Sequence, residues 1–469
     1  MAEPSGQTVP CSRCVLLERR IKELEARGQQ LEARVRELEA MLLEATRAAK
    51  RQAAPFSRNK PKDKPKKPGR PKGHAPAHRA PPPPQAITQT FDAPLTNACP
   101  DCGTGLQDHQ THEQTVSDLP KIEPVVTKYI SHSGWCPCCR KRVRSKHPDQ
   151  PSTAGGAARH QIGPNALALS VDLKHRLGLS YQKTAELFQS HFGLTICAGA
   201  LVRAGQRIAH LADRTYQSLN TIVRHSPVVC GDETGWRIGG RFAWLWVFTN
   251  KLATVYTIRE HRGQSVIVDV LGRDFNGVLS SDCCPSYDPI AAGDKQKCLG
   301  HIIKDLSTLE AIKTRAAVRF PREALCILRD AIDLKRRAGR MSAHGYAVAR
   351  GRIESRTDRL LSGNYTDPDN RRLANRMIKH REHLYTFLYV DEVEPTNNAA
   401  ERAIRPAVIA RKLSAGNRSP TGAKTHSILA SLAATARQHG ATLVDAVQDL
   451  LRRRDPNYVT PLLFNPAIK

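Results

Sequence analysis

The sequence predicts a multidomain α/β protein in which a mixed sheet forms the central domain, preceded by helical and metal-stapled modules. Three observations predict it: a seven-residue leucine repeat near the amino terminus, two closely spaced cysteine pairs before residue 140, and a cluster of short β-prone runs between residues 227 and 299 with helical patterns on either side. A chain of 469 residues is long enough for two or three domains, and 40% hydrophobic residues supply a core for part of it. The 72 Lys and Arg outnumber the 44 Asp and Glu, giving a net charge of +28. An excess of that size predicts a polyanionic partner, and nucleic acid answers it best because neutralised phosphates release condensed counterions. No apolar run is long enough to span a bilayer and no amino-terminal signal pattern is present, so a soluble intracellular protein with no membrane partner is expected. Thirteen Cys in such a chain read as metal ligands and buried thiols rather than disulfides.

Residues 1–50 read as an oligomerisation helix. Leu17, Leu24, Leu31 and Leu38 recur every seven residues, with Ile21, Val35 and Leu42 between them. Leu at d with β-branched residues at a favours a parallel two-stranded coiled coil, although Cys14 and Gly28 occupy the other a positions. One amphipathic helix folded back on the chain is the competing reading. Residues 51–90 are rich in Lys, Arg and Pro and bury too little apolar surface to offset ordering entropy, so a disordered linker is expected. Within it, Lys66-Lys67-Pro68-Gly69-Arg70-Pro71-Lys72-Gly73 resembles an AT-hook, whose Gly-Arg-Pro core lies in a narrow minor groove. Lys66, Lys67, Arg70 and Lys72 are then DNA contacts, and a plain solvated basic linker is the alternative.

Residues 91–150 read as a zinc ribbon. Cys99 and Cys102 are followed after 33 residues by Cys136 and Cys139, and two such pairs can give four thiolates to a structural, tetrahedral Zn²⁺. Cys138 is an alternative ligand, residues 125–130 suit an intervening strand, and Cys11 with Cys14 read as free thiols. Residues 151–225 read as short helices broken at Gly178-Leu179-Ser180 and Gly193-Leu194-Thr195. Both a DNA-binding helix-turn-helix and an ordinary small bundle fit that pattern.

The central domain takes residues 226–301 and 391–440. The apolar run 227–231 ends at Asp232, residues 242–248 are aromatic and β-rich, and residues 253–258 alternate, giving a three-strand meander with tight turns at Gly239-Gly240 and Asn250-Lys251. A helix over 264–271 leads to a buried strand over 277–281 that ends at Asp282, and a last short strand falls at 297–299. This is the outline of a ribonuclease-H-like sheet. A crossover connection can set the fourth strand beside the first, so Asp232 and Asp282 converge. Glu401 follows Asn397 and Asn398, either of which suits an N-cap, and falls in the first turn of a helix that Pro406 interrupts. A capping role alone is the competing reading, and Glu392 and Glu394 are its rivals. Arg402, Arg405, Arg411 and Lys412 nearby suit phosphate contacts. Three carboxylates are the donor set that two hard cations about 3.5–4 Å apart require for in-line phosphoryl transfer. Asp269 and Asp288 compete with Asp282, the first from mid-helix and the second from beyond the strand end.

The segments Asp232-Glu233-Thr234-Gly235-Trp236, Trp244-Leu245-Trp246-Val247-Phe248, Cys298-Leu299-Gly300-His301 and Asn397-Asn398-Ala399-Ala400-Glu401-Arg402, with Arg405-Pro406 and Arg411-Lys412, resemble the transposases of the insertion-sequence-66 family over nearly the whole chain. The resemblance implies a DDE enzyme in which Asp232, Asp282 and Glu401 bind catalytic Mg²⁺ (or Mn²⁺), with an all-helical insertion over residues 302–390 and a carboxy-terminal helix and tail over 441–469. It implies DNA partners at element ends and target, accessory transposition proteins, and a cytoplasmic, nucleoid-associated place in a bacterium. A ribonuclease-H-like nuclease without strand transfer, or an inactive DNA-binding regulator, would be the alternatives. Two positions depart from the family pattern: Cys283-Cys284-Pro285 after the second acid, and Lys304 where Arg is common. Glu233 should face away from Asp232 across the strand. Cys298 and His301 read either as zinc or DNA-positioning residues or as a buried thiol and a hydrogen-bonded imidazole. Trp236, Trp244 and Trp246 read as core, Trp236 with a second possibility of stacking on an unpaired base.

Overall fold

The structure, a computed structural model, describes residues 12–50, 80–108, 110–152 and 161–464, and the chain divides into two compact units, Met1–Ser117 and Asp118–Lys469. The basic segment with Lys66, Lys67, Arg70 and Lys72 lies outside the described residues, as does Cys11. In the first unit one helix, α1 (Ser12–Lys50), carries the leucine repeat over 39 residues without a break at Gly28. Ile21, Leu24, Leu31, Val35 and Leu38 each stand at least half exposed along it.

The second unit begins with a hairpin, β1 (Ser133–Cys136) against β2 (Lys141–Arg144). The strand expected over residues 125–130 is not there: Val125 and Val126 are 94% and 82% exposed. A strand needs a ladder partner, and the runs that find one flank the second cysteine pair, where Arg140 takes the left-handed conformation (φ 49°) that closes the turn. Four helices follow: α2 (Pro164–His175), α3 (Tyr181–Phe192), α4 (Ala198–Leu211) and α5 (Asp213–Arg224). They break where the sequence predicts, with Gly178 and Gly193 both at positive φ and Ser180 capping α3 by accepting the Lys183 N–H.

The sheet comprises β3 (Val228–Ile238), β4 (Arg241–Thr249) and β5 (Thr254–Arg259), then helix α6 (Gln264–Leu271), then β6 (Phe275–Ser281) and β7 (Ala292–Lys297). Strand order is β5-β4-β3-β6-β7, antiparallel through β3, β4 and β5 and parallel from β3 to β6 to β7. Two expectations are corrected. Strand β3 does not stop at Asp232 but runs on to Ile238, because β4 supplies ladder partners as far as Arg241. The last strand is the polar run Ala292–Lys297 rather than 297–299, since pairing with β6 outweighs its weak β propensity and Leu299 already opens a helix.

That helix, α7 (Leu299–Ile312), leads through α8 (Arg319–Arg337), α9 (Ala343–Leu361) and α10 (Pro368–Lys379), which pack an apolar cluster of their own around Leu306, Phe320, Leu328 and Tyr385. The chain then forms α11 (Asn398–Ser414), α12 (Pro420–Gln438) and α13 (Leu443–Arg453). Two-residue alternation divides the sheet's side chains. Val229, Trp246, Phe248 and Val255 cluster with Leu219 and Val223 of α5 and with Val266 and Ile267 of α6. Trp236, Leu245, Val247 and Tyr256 cluster on the other face with Ala400, Ala403 and Ile404 of α11. Trp246, fully buried, contributes on the order of 2–3 kcal/mol by leaving water.

Both sheet edges are closed against further pairing. Along β5 the Thr254 and Tyr256 N–H groups donate to Thr435 Oγ1 (3.1 Å) and Ser431 Oγ (2.8 Å) of α12. Along β7 the Lys295 carbonyl accepts from Thr386 Oγ1 (2.6 Å), and the buried Gln296 side chain accepts from the Phe387 N–H (2.9 Å) and donates to the Leu384 carbonyl (3.1 Å). The helical excursion after β7 ends where it starts: the Leu299 N–H donates to the Pro395 carbonyl at 2.9 Å. No described helix is long and apolar enough to cross a membrane.

Candidate active site

Register places the first two acids together. Strands β3 and β6 pair in parallel at Val228–Val278, Val229–Leu279 and Cys230–Ser280. Two residues further on, that register sets Asp232 beside Asp282, the residue directly after β6. Asp232 shares a strand face with Cys230 and Trp236, the face that α11 covers. Each carboxylate is anchored by one backbone donor: Asp232 Oδ1 accepts from the Glu233 N–H and Asp282 Oδ1 from the Cys284 N–H, both at 2.8 Å. The Cys283-Cys284 departure therefore supplies a backbone contact to the second acid.

Helix α11 lies across β3 and β4 and brings Glu401 to the same face. Asn397 occupies the N-cap position, but its side chain makes no capping bond. Its Nδ2 donates instead to the carbonyl of Gly231 (2.7 Å), one residue before Asp232, and its own N–H donates to Cys298 Sγ (3.2 Å). A long-range partner has displaced the local one. The helix continues past Pro406 to Ser414.

The electrostatics register the crowding. Burial pushes the Asp232 carboxyl up to about 7 against the pull of the Glu233 N–H, and the negative charges of Glu233, Asp282 and Glu401 add to the rise. Glu233, Asp282 and Glu401 thus all act on Asp232 in the same direction. His301 Nε2 stands 3.9 Å from Glu401 Oε1. A hydrogen bond with Cys298, opposed by burial and helped by the charges of Cys298, Glu401 and Asp282, pushes the imidazole up to about 9.

Neighbouring residues take supporting places. The Glu233 side chain, 1% exposed, points to the opposite face as expected, where Arg262 pairs with it (Nε to Oε1, 2.9 Å) and the Tyr287 hydroxyl donates to it (2.7 Å). Arg262 in turn lies over the Trp244 ring, 4.5 Å from its centroid. The rival Asp288 is occupied by Lys297 (3.0 Å) and Lys379 (2.6 Å). Asp269, Glu392 and Glu394 are exposed. Among the nearby cations, Arg402, Arg405 and Lys412 are exposed, whereas Arg411 turns inward and donates to Thr234 Oγ1 (3.1 Å) and the Gly235 carbonyl. Trp236 is 3% exposed with its Nε1 donating to Asn417 Oδ1 (2.8 Å), so it is core and offers no face to a base. On α4, Leu201, Ala204 and Ile208 are buried while Arg203, Arg207 and His210 face solvent.

The two cysteine pairs sit in separate turns. Cys99 and Cys102 lie in the first unit, in a turn closed by the Gly103 N–H to Cys99 carbonyl bond (2.9 Å) with Gly103 at φ 72°. Cys136 and Cys139 lie at the β1–β2 turn of the second, where the Cys139 N–H donates to Cys136 Sγ (3.4 Å). The Thr104 hydrogen bonds lower the Cys102 thiol, and those of Cys139 lower Cys136. In each turn one thiol is thus shifted toward the thiolate, the form a soft cation takes.

Sequence reasoning missed the Asn397–Gly231 bond and the Arg262–Glu233–Tyr287 cluster. Only the Cys298-x-x-His301 spacing carried a signal of what surrounds Glu401. Asp232, Asp282 and Glu401 offer hard oxygen donors, the kind that could hold Mg²⁺ or Mn²⁺. The profile of the family described as Transposase IS66 matches residues 159–425, a span containing all three acids. No curated protein matches the chain.

Proposed function

The chain belongs to the IS66 family of transposases, and from that premise we propose that it is a DDE transposase cutting DNA at the ends of its element and joining the freed 3′ ends to target DNA. The observation that carries this reading is the parallel register that brings Asp232 and Asp282 to neighbouring strand ends, with Glu401 on the helix that crosses β3 and β4; burial and the charges of these acids push the Asp232 carboxyl up to about 7. Bound Mg²⁺ or Mn²⁺ would supply Lewis acidity and an activated attacking oxygen at this trio. The strand order, with Asp232 on the central strand and Asp282 after its parallel neighbour, supports a ribonuclease-H-like core. Asp232 and Asp282 hold their carboxylates on a rigid sheet through the Glu233 and Cys284 amides, and Asn397 fixes the helix that carries Glu401. Arg402, Arg405 and Lys412 stand free to hold DNA phosphates beside them. The exposed leucine stripe of α1 supports a parallel pairing of two copies, which the two ends of an element require.

The test uses DNA spanning the boundaries of the gene that encodes the protein, with Mg²⁺ and a target plasmid. The parent should nick the boundary and join its 3′ end to the plasmid. Asp232→Asn should lower both by on the order of a thousandfold, the scale of losing one preorganised electrostatic contact, while binding the DNA nearly as well. Cleavage at the parent's rate by Asp232→Asn would sink the assignment, and nicking without joining would favour a nuclease.

A further inference from the structure

We propose that Cys298, His301 and Glu401 form a binding site for a thiophilic divalent cation of the zinc class, a site that borrows Glu401 from the acid trio. Among the described residues these three are the one His, Cys, Asp or Glu group whose ligand atoms all lie within 4.8 Å of one another. The sequence makes the pairing local. Cys298 is the N-cap of α7 and His301 sits in its first turn, so the two side chains three apart fall on one side of the helix. The Asn397 N–H donates to Cys298 Sγ at 3.2 Å and so ties the sulfur to the start of the segment that carries Glu401. Glu401 arrives from α11, with its Oε1 3.9 Å from His301 Nε2. Zinc bonds of about 2.0–2.3 Å at tetrahedral angles put neighbouring ligand atoms roughly 3.3–3.6 Å apart, a small closing movement from what is present.

The donor set separates this site from the acid pair in chemistry. Mg²⁺ takes oxygen and leaves a thiolate and an imidazole aside, whereas zinc takes S, N and O together. Cys298 is fully buried, while the side chains of His301 and Glu401 are 48% and 42% exposed. The site therefore has a dry floor and an open side, the form of an exchangeable three-ligand centre rather than a closed structural one. Occupancy would withdraw Glu401 from Asp232 and Asp282. That consequence, zinc inhibition of Mg²⁺-dependent cleavage, rests on the transposase reading; the binding itself does not.

The test takes the full chain stripped of metal and titrates it with Co²⁺ as a spectroscopic stand-in for zinc, comparing the parent with Cys298→Ser, His301→Ala and Asp232→Asn. Cobalt held at the other cysteines is common to all four and cancels. The parent should bind one equivalent more than Cys298→Ser, with a matching thiolate-to-cobalt absorption that Cys298→Ser loses and Asp232→Asn keeps. His301→Ala, at a half-exposed position, should weaken that equivalent at least tenfold and decides the matter if Cys298→Ser fails to fold. Equal uptake by the parent and His301→Ala would overturn the proposal. In excess Mg²⁺, added Zn²⁺ should inhibit parental cleavage, and His301→Ala should need at least tenfold more for half-inhibition; equal sensitivity would overturn the link to Glu401. A parent that never cleaves refutes the transposase reading alone, with the cobalt result standing.

Discussion

Replacing Asp232 by Asn should stabilise the cation-free protein, and by an amount that grows with pH. The carboxyl rises from an ordinary 3.8 to about 7 in the folded chain. Between those values the folded state holds a proton that the unfolded state has released, so stability falls as pH climbs through that window and the full penalty is present above about 7. Three units at about 1.36 kcal/mol each set a ceiling of about 4 kcal/mol, reduced in practice by water reaching the open side of the site. Asparagine keeps the shape and the oxygen that accepts the Glu233 N–H, but carries no charge to bury or to repel Asp282 and Glu401. Unfolding of both proteins in a chelator, followed at about pH 5.5, 7 and 8.5, should show Asp232→Asn ahead at every point, with its lead widening by about 2 kcal/mol across the range. Added Mg²⁺ should then stabilise the parent at high pH and leave the variant unmoved. The parent's affinity for the ion should fall about tenfold per pH unit below 7, since binding must displace the proton. A lead that stays flat or shrinks with pH would show that Asp232 is not a buried carboxyl crowded by other acids.

Four further outcomes follow from the structure. Arg262→Ala leaves the buried Glu233 carboxylate without its ion pair and should cost about 2–3 kcal/mol of stability, read from denaturant midpoints; Tyr287→Phe, which removes one hydrogen bond to the same group, should cost about 1 kcal/mol. Gly416 sits at φ +112°, where an added Cβ would meet the Arg237 carbonyl at 2.4 Å, so Gly416→Ala should destabilise by about 2 kcal/mol or more and lower the melting temperature. Deleting residues 14–45 should reduce the solution mass measured by light scattering to that of a single chain, and an unchanged mass would remove α1 as the oligomerising element.

Local patterns in the chain told most about the elements. Helix α6 occupies the predicted residues, and the Gly239-Gly240 turn with its two positive φ angles stands where the sequence placed it, because turn and helix signals are encoded within a few residues. Strand β7 was misplaced because Ala292–Lys297 is polar and becomes a strand only through β6 beside it and the insertion that buries Gln296 and Lys297. The site shows the same division. That Asp232 stands on a strand and Asp282 directly after one was legible from the runs that precede them. Asn397 was read as a cap since its local environment suggests one, whereas the partner that claims its side chain, Gly231, is 166 residues away. Arg411 was grouped with phosphate-gripping cations by proximity in sequence, and only the fold reveals that it is turned onto β3.

The stapling of Leu299 to Pro395, with Asn397 bonded to Cys298, has an implication for how such chains diversify. Four helices leave and return through a doorway one hydrogen bond wide, so lengthening, trimming or exchanging that whole lobe adds a closure entropy that grows only with the logarithm of its size. The third carboxylate hangs from the doorpost rather than from the lobe. Evolution or an engineer is free to remodel nearly a hundred residues here, provided the surface that shelters β7 is kept, without shifting Glu401 against its companions.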